Sequence, residues 1–231
     1  MRSILFEEFN ERAKEVSKYL MFIKNLEQET VQLSIGIPGK KKIRKIDSDL
    51  EKTLKASGFL MLYNLIESTM RNAIQVIFDE LSSEGISFDE MKPYLKKIII
   101  KNIKNNHSPD NLLDNIQSIS FDIISASFDK EKLFSGNLDA KKIKAIAKEY
   151  GFSSTTNARK TGNGSDLVTI KTNRNGLAHG FYSFKDVGKD ISADELLEIK
   201  RKVVFYLREI LQNIEKYLAN KDYLDSSGIT P

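Results

Sequence analysis

No cysteine occurs anywhere in the chain, and there are only two histidines, His107 and His179. The first absence excludes disulfides, thiol nucleophiles and cysteine-ligated zinc or iron–sulfur centres, and it fits a reducing compartment. Long apolar runs are also missing. The longest aliphatic run, Ile98-Ile99-Ile100, is far too short to span a bilayer. The start, Met1-Arg-Ser-Ile-Leu-Phe-Glu-Glu8, has no uninterrupted apolar segment of the signal-peptide type. A cytoplasmic protein without a membrane partner is therefore expected. The chain has no His-x-x-x-His pair, no Gly-x-x-x-x-Gly-Lys-Ser/Thr loop, no Gly-x-Ser-x-Gly turn and no dinucleotide-binding glycine fingerprint. Acidic residues are plentiful but form no cluster that demands a metal. Neither a metal nor a cofactor is expected.

What remains is an ordinary globular composition, with 231 residues, 40% of them hydrophobic and 29% charged. That is ample for a core. The net charge of +4 and the pI near 9.0 favour an anionic partner, although composition alone does not make one.

Apolar spacing places the elements. Phe6, Phe9, Ala13, Val16, Leu20 and Ile23 recur every three or four residues, which predicts a helix from Ile4 to about Gln28. Val31, Leu33, Ile35 and Ile37 alternate as a strand does, Pro38-Gly39 breaks the run, and Lys40-Lys-Lys-Ile-Arg-Lys45 reads as the return strand of a short hairpin. That basic run suits either a phosphate-facing arm or a solvated edge, the latter being commoner. A helix from Ser48 to about Leu81 follows, its stripe marked by Leu62, Ile66, Met70, Ala73 and Ile77, with Gly58 as a site for a kink. Unbroken, it is about 50 Å long. Asn64, Glu67, Arg71 and Gln75 form a polar line on it, and Glu67 and Arg71 can pair at i, i+4.

Ser87-Phe-Asp-Glu90 resembles a capping box and predicts a helix from there to about Asn105, with Lys97, Lys101 and Lys104 on its outer side. An irregular, partly helical segment runs from Asn111 to Phe134. A short helix capped by Asn137 or Asp139 ends at Tyr150 with Gly151 as its stop, and carries Lys141, Lys142, Lys144 and Lys148. Residues Ser153 to Ser165 read as a loop. A helix then begins near Ser165. A second capping box, Ser192-Ala-Asp-Glu195, opens the final helix, which runs to about Lys221. The tail Ser226–Pro231 is expected to fray. The pattern is mainly α: a bundle of four main helices in one domain over residues 1–231. Residues 84–160 form a helical insertion between the second and third bundle helices, and a short β-hairpin follows the first.

Chemistry concentrates in Arg174-Asn-Gly-Leu-Ala-His179. Histidine, with an ordinary pKa of about 6.5, takes and gives protons near neutrality. Arginine is the permanent cation best shaped to hold a phosphate. Leu167, Ile170, Arg174 and Leu177 share one stripe, so Arg174 is in line with the buried face. There it needs a carboxylate such as Glu67, a carbonyl, a phosphate or a solvated cleft. His179 stands five residues on, about 140° around an ideal helix. The two side chains converge only if the helix ends or bends, for which Gly176 and Gly180 offer places, or if two chains meet. RNA cleavage by its own 2′-hydroxyl needs such a kit. His179 serves as acid–base group, Arg174 as phosphate clamp, and Asn175 as donor to the phosphate or orienter of the histidine. Tyr182, just past the motif, is either a base-stacking ring or a bundle aromatic. Lys97, Lys101, Lys104, Lys141 and Lys142 suit an RNA backbone, or simply solvated helix faces. His107 is given no role.

Arg174-Asn175 followed after three residues by His179, with the Ala178-His179-Gly180 ending, resembles the arginine–four-to-six-residues–histidine motif of the HEPN superfamily. Tyr63-Asn-Leu-Ile-Glu-Ser-Thr-Met-Arg-Asn-Ala-Ile74 is similar to the second bundle helix of those proteins. Ser135 to Phe152 resembles the insertion of a bacterial, MAE-type subfamily. The likeness spans about Leu50 to Leu218. It implies a helical bundle, commonly a homodimer, and a metal-independent ribonuclease of toxin–antitoxin or phage-defence type that acts on RNA and is paired with an antitoxin or defence-system partner. Arg174 and His179 are then the catalytic pair, Asn175 assists, and Glu67 and Arg71 support. The same family contains non-catalytic modules that bind nucleotide, RNA or a partner protein, which is the alternative.

Overall fold

The computed structural model describes residues 4–106, 108, 110–111, 123–134 and 136–225. His107, the apolar residues Leu112, Leu113, Ile116, Ile119 and Phe121, and the tail Ser226–Pro231 lie outside the described residues. The chain is mainly helical. It runs α1 (Ile4–Glu27), β1 (Leu33–Ile35), β2 (Lys42–Arg44), α2 (Ser48–Ser83), α3 (Pro93–Asn106), α4 (Ile123–Ser127), α5 (Ala140–Tyr150), α6 (Ala158–Thr161), α7 (Ser165–Ala178), α8 (Phe184–Lys189) and α9 (Ala193–Ala219). The two strands pair antiparallel, Leu33 with Arg44 and Ile35 with Lys42. Among the described residues, no helix is long and apolar enough to cross a membrane.

Two compact units emerge, one from Met1–Glu67 with Asn157–Leu207, the other from Ser68–Thr156 with Arg208–Pro231. The first buries the stripe Phe9, Val16, Leu20 and Ile23 of α1 with Phe59, Leu62 and Ile66 of α2, Leu167 and Ile170 of α7, and Leu196 and Val203 of α9. Glu27 ties three of these elements. Its carboxylate accepts from buried Lys55 at 3.1 Å and from the Ala193 backbone N–H at 2.9 Å, so it caps α9 while neutralising an ammonium on α2. The second unit buries Met70, Ile74 and Ile77 of α2 with Leu95 and Ile98 of α3, Ile143 and Ala147 of α5, and Ile210 and Ile214 of α9. Asp139 caps α5 by accepting from Lys142 N–H, and Gly151 ends it at φ +86°.

Three local readings are corrected and one helix is added. Helix α2 runs through Gly58, whose missing Cβ makes room instead: an added methyl would lie 3.1 Å from Leu20 and 3.4 Å from Leu196. The Ser87–Glu90 capping box is present, but it opens a single 3-10 turn over Phe88–Glu90. Met91 then bridges to Leu224 and Pro93 starts α3, as proline's fixed φ suits a first helical position. The stretch read as a loop from Ser153 contains α6, capped by Asn157, and a 3-10 turn at Gly162–Gly164. Helix α8, also unanticipated, packs so closely that a Cβ on Gly188 would lie 1.8 Å from the Lys52 carbonyl oxygen.

Candidate functional site

Helix α7 carries two stripes. Leu167, Ile170 and Leu177 are buried, and Arg174, on the same stripe, is half-buried. Val168, Thr172 and His179 form an exposed stripe at spacings of four, three and four, with half-exposed Asn175 between them. Gly176 does not bend the helix. The His179 N–H still bonds the Asn175 carbonyl at 3.0 Å, so regular helix persists up to the histidine. Within one chain Arg174 and His179 therefore leave α7 about 140° apart, as on an ideal helix. Asn175 leans from the histidine's stripe toward the arginine, its Oδ1 accepting from Arg174 Nη1 at 2.9 Å. Its amide carbonyl thus orients the guanidinium.

The helix ends in a Schellman turn. Gly180 takes the left-handed conformation at φ +72°, Phe181 N–H bonds the Gly176 carbonyl at 2.8 Å, and Gly180 N–H bonds that of Leu177 at 3.3 Å. His179 is the capping residue and its side chain is exposed. The two aromatics that follow diverge. Tyr182 folds back onto Gly176, where a Cβ would lie 2.1 Å from the ring. Phe181 points out, 78% exposed, with its ring centroid 5.9 Å from that of His179. The glycines of the motif thus serve a close approach and a turn, and the bend expected at Gly176 is absent.

Arg174 found a partner that spacing arguments overlooked. Its guanidinium lies over the Tyr63 ring, 4.6 Å from the centroid, and Tyr63 is buried on α2. A cation over an aromatic face is stabilised by the ring quadrupole, more strongly where water is excluded. The signal was available, since an aromatic one turn before Glu67 on α2 belongs with any cation seeking that face. Glu67 is half-buried one turn beyond Tyr63. Arg71, in the other unit, donates to the Lys130 carbonyl and stands over the Phe134 ring at 5.8 Å.

The lysines expected to follow RNA are exposed: Lys97, Lys101 and Lys104 on α3, and Lys141 and Lys142 on α5. Lys101 is bound to Glu149 at 2.9 Å, so its charge is largely compensated. A cleft of about 350 Å³ beside α7 is lined by Thr169, Asn173, Tyr182, Asp186, Lys189 and Asp190. The Ser183 hydroxyl, 2.6 Å from Asp186, holds that carboxyl below its ordinary range. Two carboxylates suit this cleft poorly to phosphate. Among the described residues, no group of three or more histidine or acidic side chains is placed to hold a metal ion.

The family model HEPN_MAE_28990, an MAE_28990-like HEPN, matches residues 1–223. No curated protein and no solved structure matches the chain.

Proposed function

The chain belongs to the HEPN_MAE_28990 family, and from that premise we propose that it is a homodimeric, metal-independent endoribonuclease of a toxin or phage-defence system. Each site is composed of Arg174 from one subunit and His179 from the other. The carrying observation is the straight C-terminal turn of α7. It holds a half-buried, pre-oriented guanidinium on one stripe and an exposed imidazole about 140° away on another. Both side chains reach solvent near the C-terminal end of α7, so two chains meeting there about a two-fold axis would set an arginine of one beside a histidine of the other.

The chemistry follows. His179 accepts the 2′-hydroxyl proton, the 2′-oxygen attacks the adjacent phosphorus, and the bond to the 5′-oxygen breaks as that oxygen takes a proton from water. Arg174 stabilises the charge on the non-bridging oxygens, its plane set by Asn175 and Tyr63. The products are a 2′,3′-cyclic phosphate and a 5′-hydroxyl. Purified protein should cut RNA in EDTA and leave those ends. His179→Ala and Arg174→Ala should abolish cutting while the fold, checked by circular dichroism, persists. If His179→Ala cuts as fast as wild type, the assignment fails.

One observation favours the non-catalytic alternative. Arg174 already has Asn175 and Tyr63 as partners, which suits a clamp that binds RNA or nucleotide without turnover. That reading predicts saturable binding with no product at any protein concentration.

A further inference from the structure

Phe181 is the most exposed large hydrophobic side chain among the described residues, at 78%. Its exposure is not that of a slack loop. Its own N–H is bonded to Gly176, the residue before it is held at φ +72°, and the residue after it is clamped by its ring on Gly176. The backbone that carries the ring is thus fixed, and the ring lies tilted 40° to the His179 imidazole at 5.9 Å. Phenylalanine has no donor or acceptor, so it cannot read a base edge. It offers only a π-face, on which any base stacks. Tyr182, 49% exposed, is turned back onto Gly176, so Phe181 is the ring that stands beside the imidazole.

We propose that Phe181 is a positioning residue of the site: the base of an unpaired nucleotide stacks on its ring next to His179. The proposal rests on the ribonuclease reading for its substrate. A base within a duplex has both faces covered and must be extruded first, so paired RNA is disfavoured.

The chain contains no tryptophan, so Phe181→Trp installs a lone fluorescent reporter at the proposed contact. The probe is an uncleavable 2′-O-methyl oligouridine, alone and annealed to its complement. Quenching should occur with the single strand and not with the duplex. Phe181→Ala should weaken single-strand binding about 10- to 100-fold and raise KM for cleavage similarly, and Phe181→Trp should restore both. Equal binding by Phe181→Ala and wild type, or quenching by duplex as strong as by single strand, overturns the proposal. So does loss of the dimer in Phe181→Ala by sedimentation, since the ring would then be covered by a second copy. If wild type binds through Phe181 but cuts nothing, the ribonuclease reading falls and the stacking contact stands. If wild type cuts and Phe181→Ala is indistinguishable from it, the reverse holds.

Discussion

Gly176→Ala should change the sign of its effect depending on Tyr182. In the native chain an added Cβ would lie 2.1 Å from Tyr182 Cδ2 and 2.4 Å from Cε2. Carbon atoms rest at about 3.5–4.0 Å, so the ring must retreat by roughly 1.5 Å. Tyr182 is 49% exposed, so the displaced ring would move into solvent. About half of its roughly 200 Å² of buriable area then returns to water, a loss of about 2.5 kcal/mol. Gly176 sits inside helix, where alanine is better by about 1 kcal/mol. The net is a destabilisation of about 1–2 kcal/mol, or roughly 2–8 °C in thermal midpoint for a chain of this size. With Tyr182→Ala already present the clash is gone, and Gly176→Ala should stabilise by about 1 kcal/mol. A double-mutant cycle on urea midpoints, at unchanged m-value, reads both numbers. If Gly176→Ala stabilises the wild-type background, Tyr182 does not clamp the turn, and the fixed placement of His179 and Phe181 loses its support.

Further outcomes follow from the same contacts. Gly188→Ala drives a methyl into backbone, 1.8 Å from Lys52 O, and with no flexible atom to yield it should cost about 3 kcal/mol or more and lower the thermal midpoint sharply. Glu27→Ala strips a charged partner from buried Lys55 and the cap from Ala193, and should cost about 2–3 kcal/mol by urea titration, with Glu27→Gln losing less because its amide oxygen still accepts. Glu195 is held below the ordinary carboxylate range, chiefly by the Ser192 hydroxyl and then by the Ser192 backbone N–H. A depressed carboxyl contributes stability above its unfolded pKa and loses it as pH falls through the folded one. The gap in urea midpoint between wild type and Ser192→Ala should therefore narrow from pH 7 to pH 3, and a constant gap would exclude this linkage.

Long-period features were legible in the amino-acid order because burial enforces them. The stripes of α1, α2 and α9 each place an apolar residue every three or four positions, and the Ser192–Glu195 box and Gly151 mark helix ends by local hydrogen bonding alone. What escaped depended on partners distant in sequence. The Ser87–Glu90 box looks like a long helix's start, but Lys92 N–H pairs with the Tyr223 carbonyl across the unit, and the chain must straighten before Pro93. Gly58 and Gly176 look like breaks, yet each is small because another residue comes close. At the site, Arg174, Asn175 and His179 stood out by residue type. Tyr63 did not, because an aromatic on a helix reads as core until a cation is found above it. Phe181 was passed over beside Tyr182, since only the left-handed Gly180 and the bonds to Gly176 decide which ring turns inward.

The composite site is tested most directly by mixing inactive chains. Arg174→Ala and His179→Ala proteins, each dead alone, are unfolded together and refolded at equal concentration. Random pairing makes about half the dimers mixed, and each mixed dimer holds one intact site, with Arg174 from one chain and His179 from the other, so about a quarter of wild-type RNA cleavage should return. No recovery, with mixed dimers demonstrated by differential tagging, would contradict a site shared between subunits.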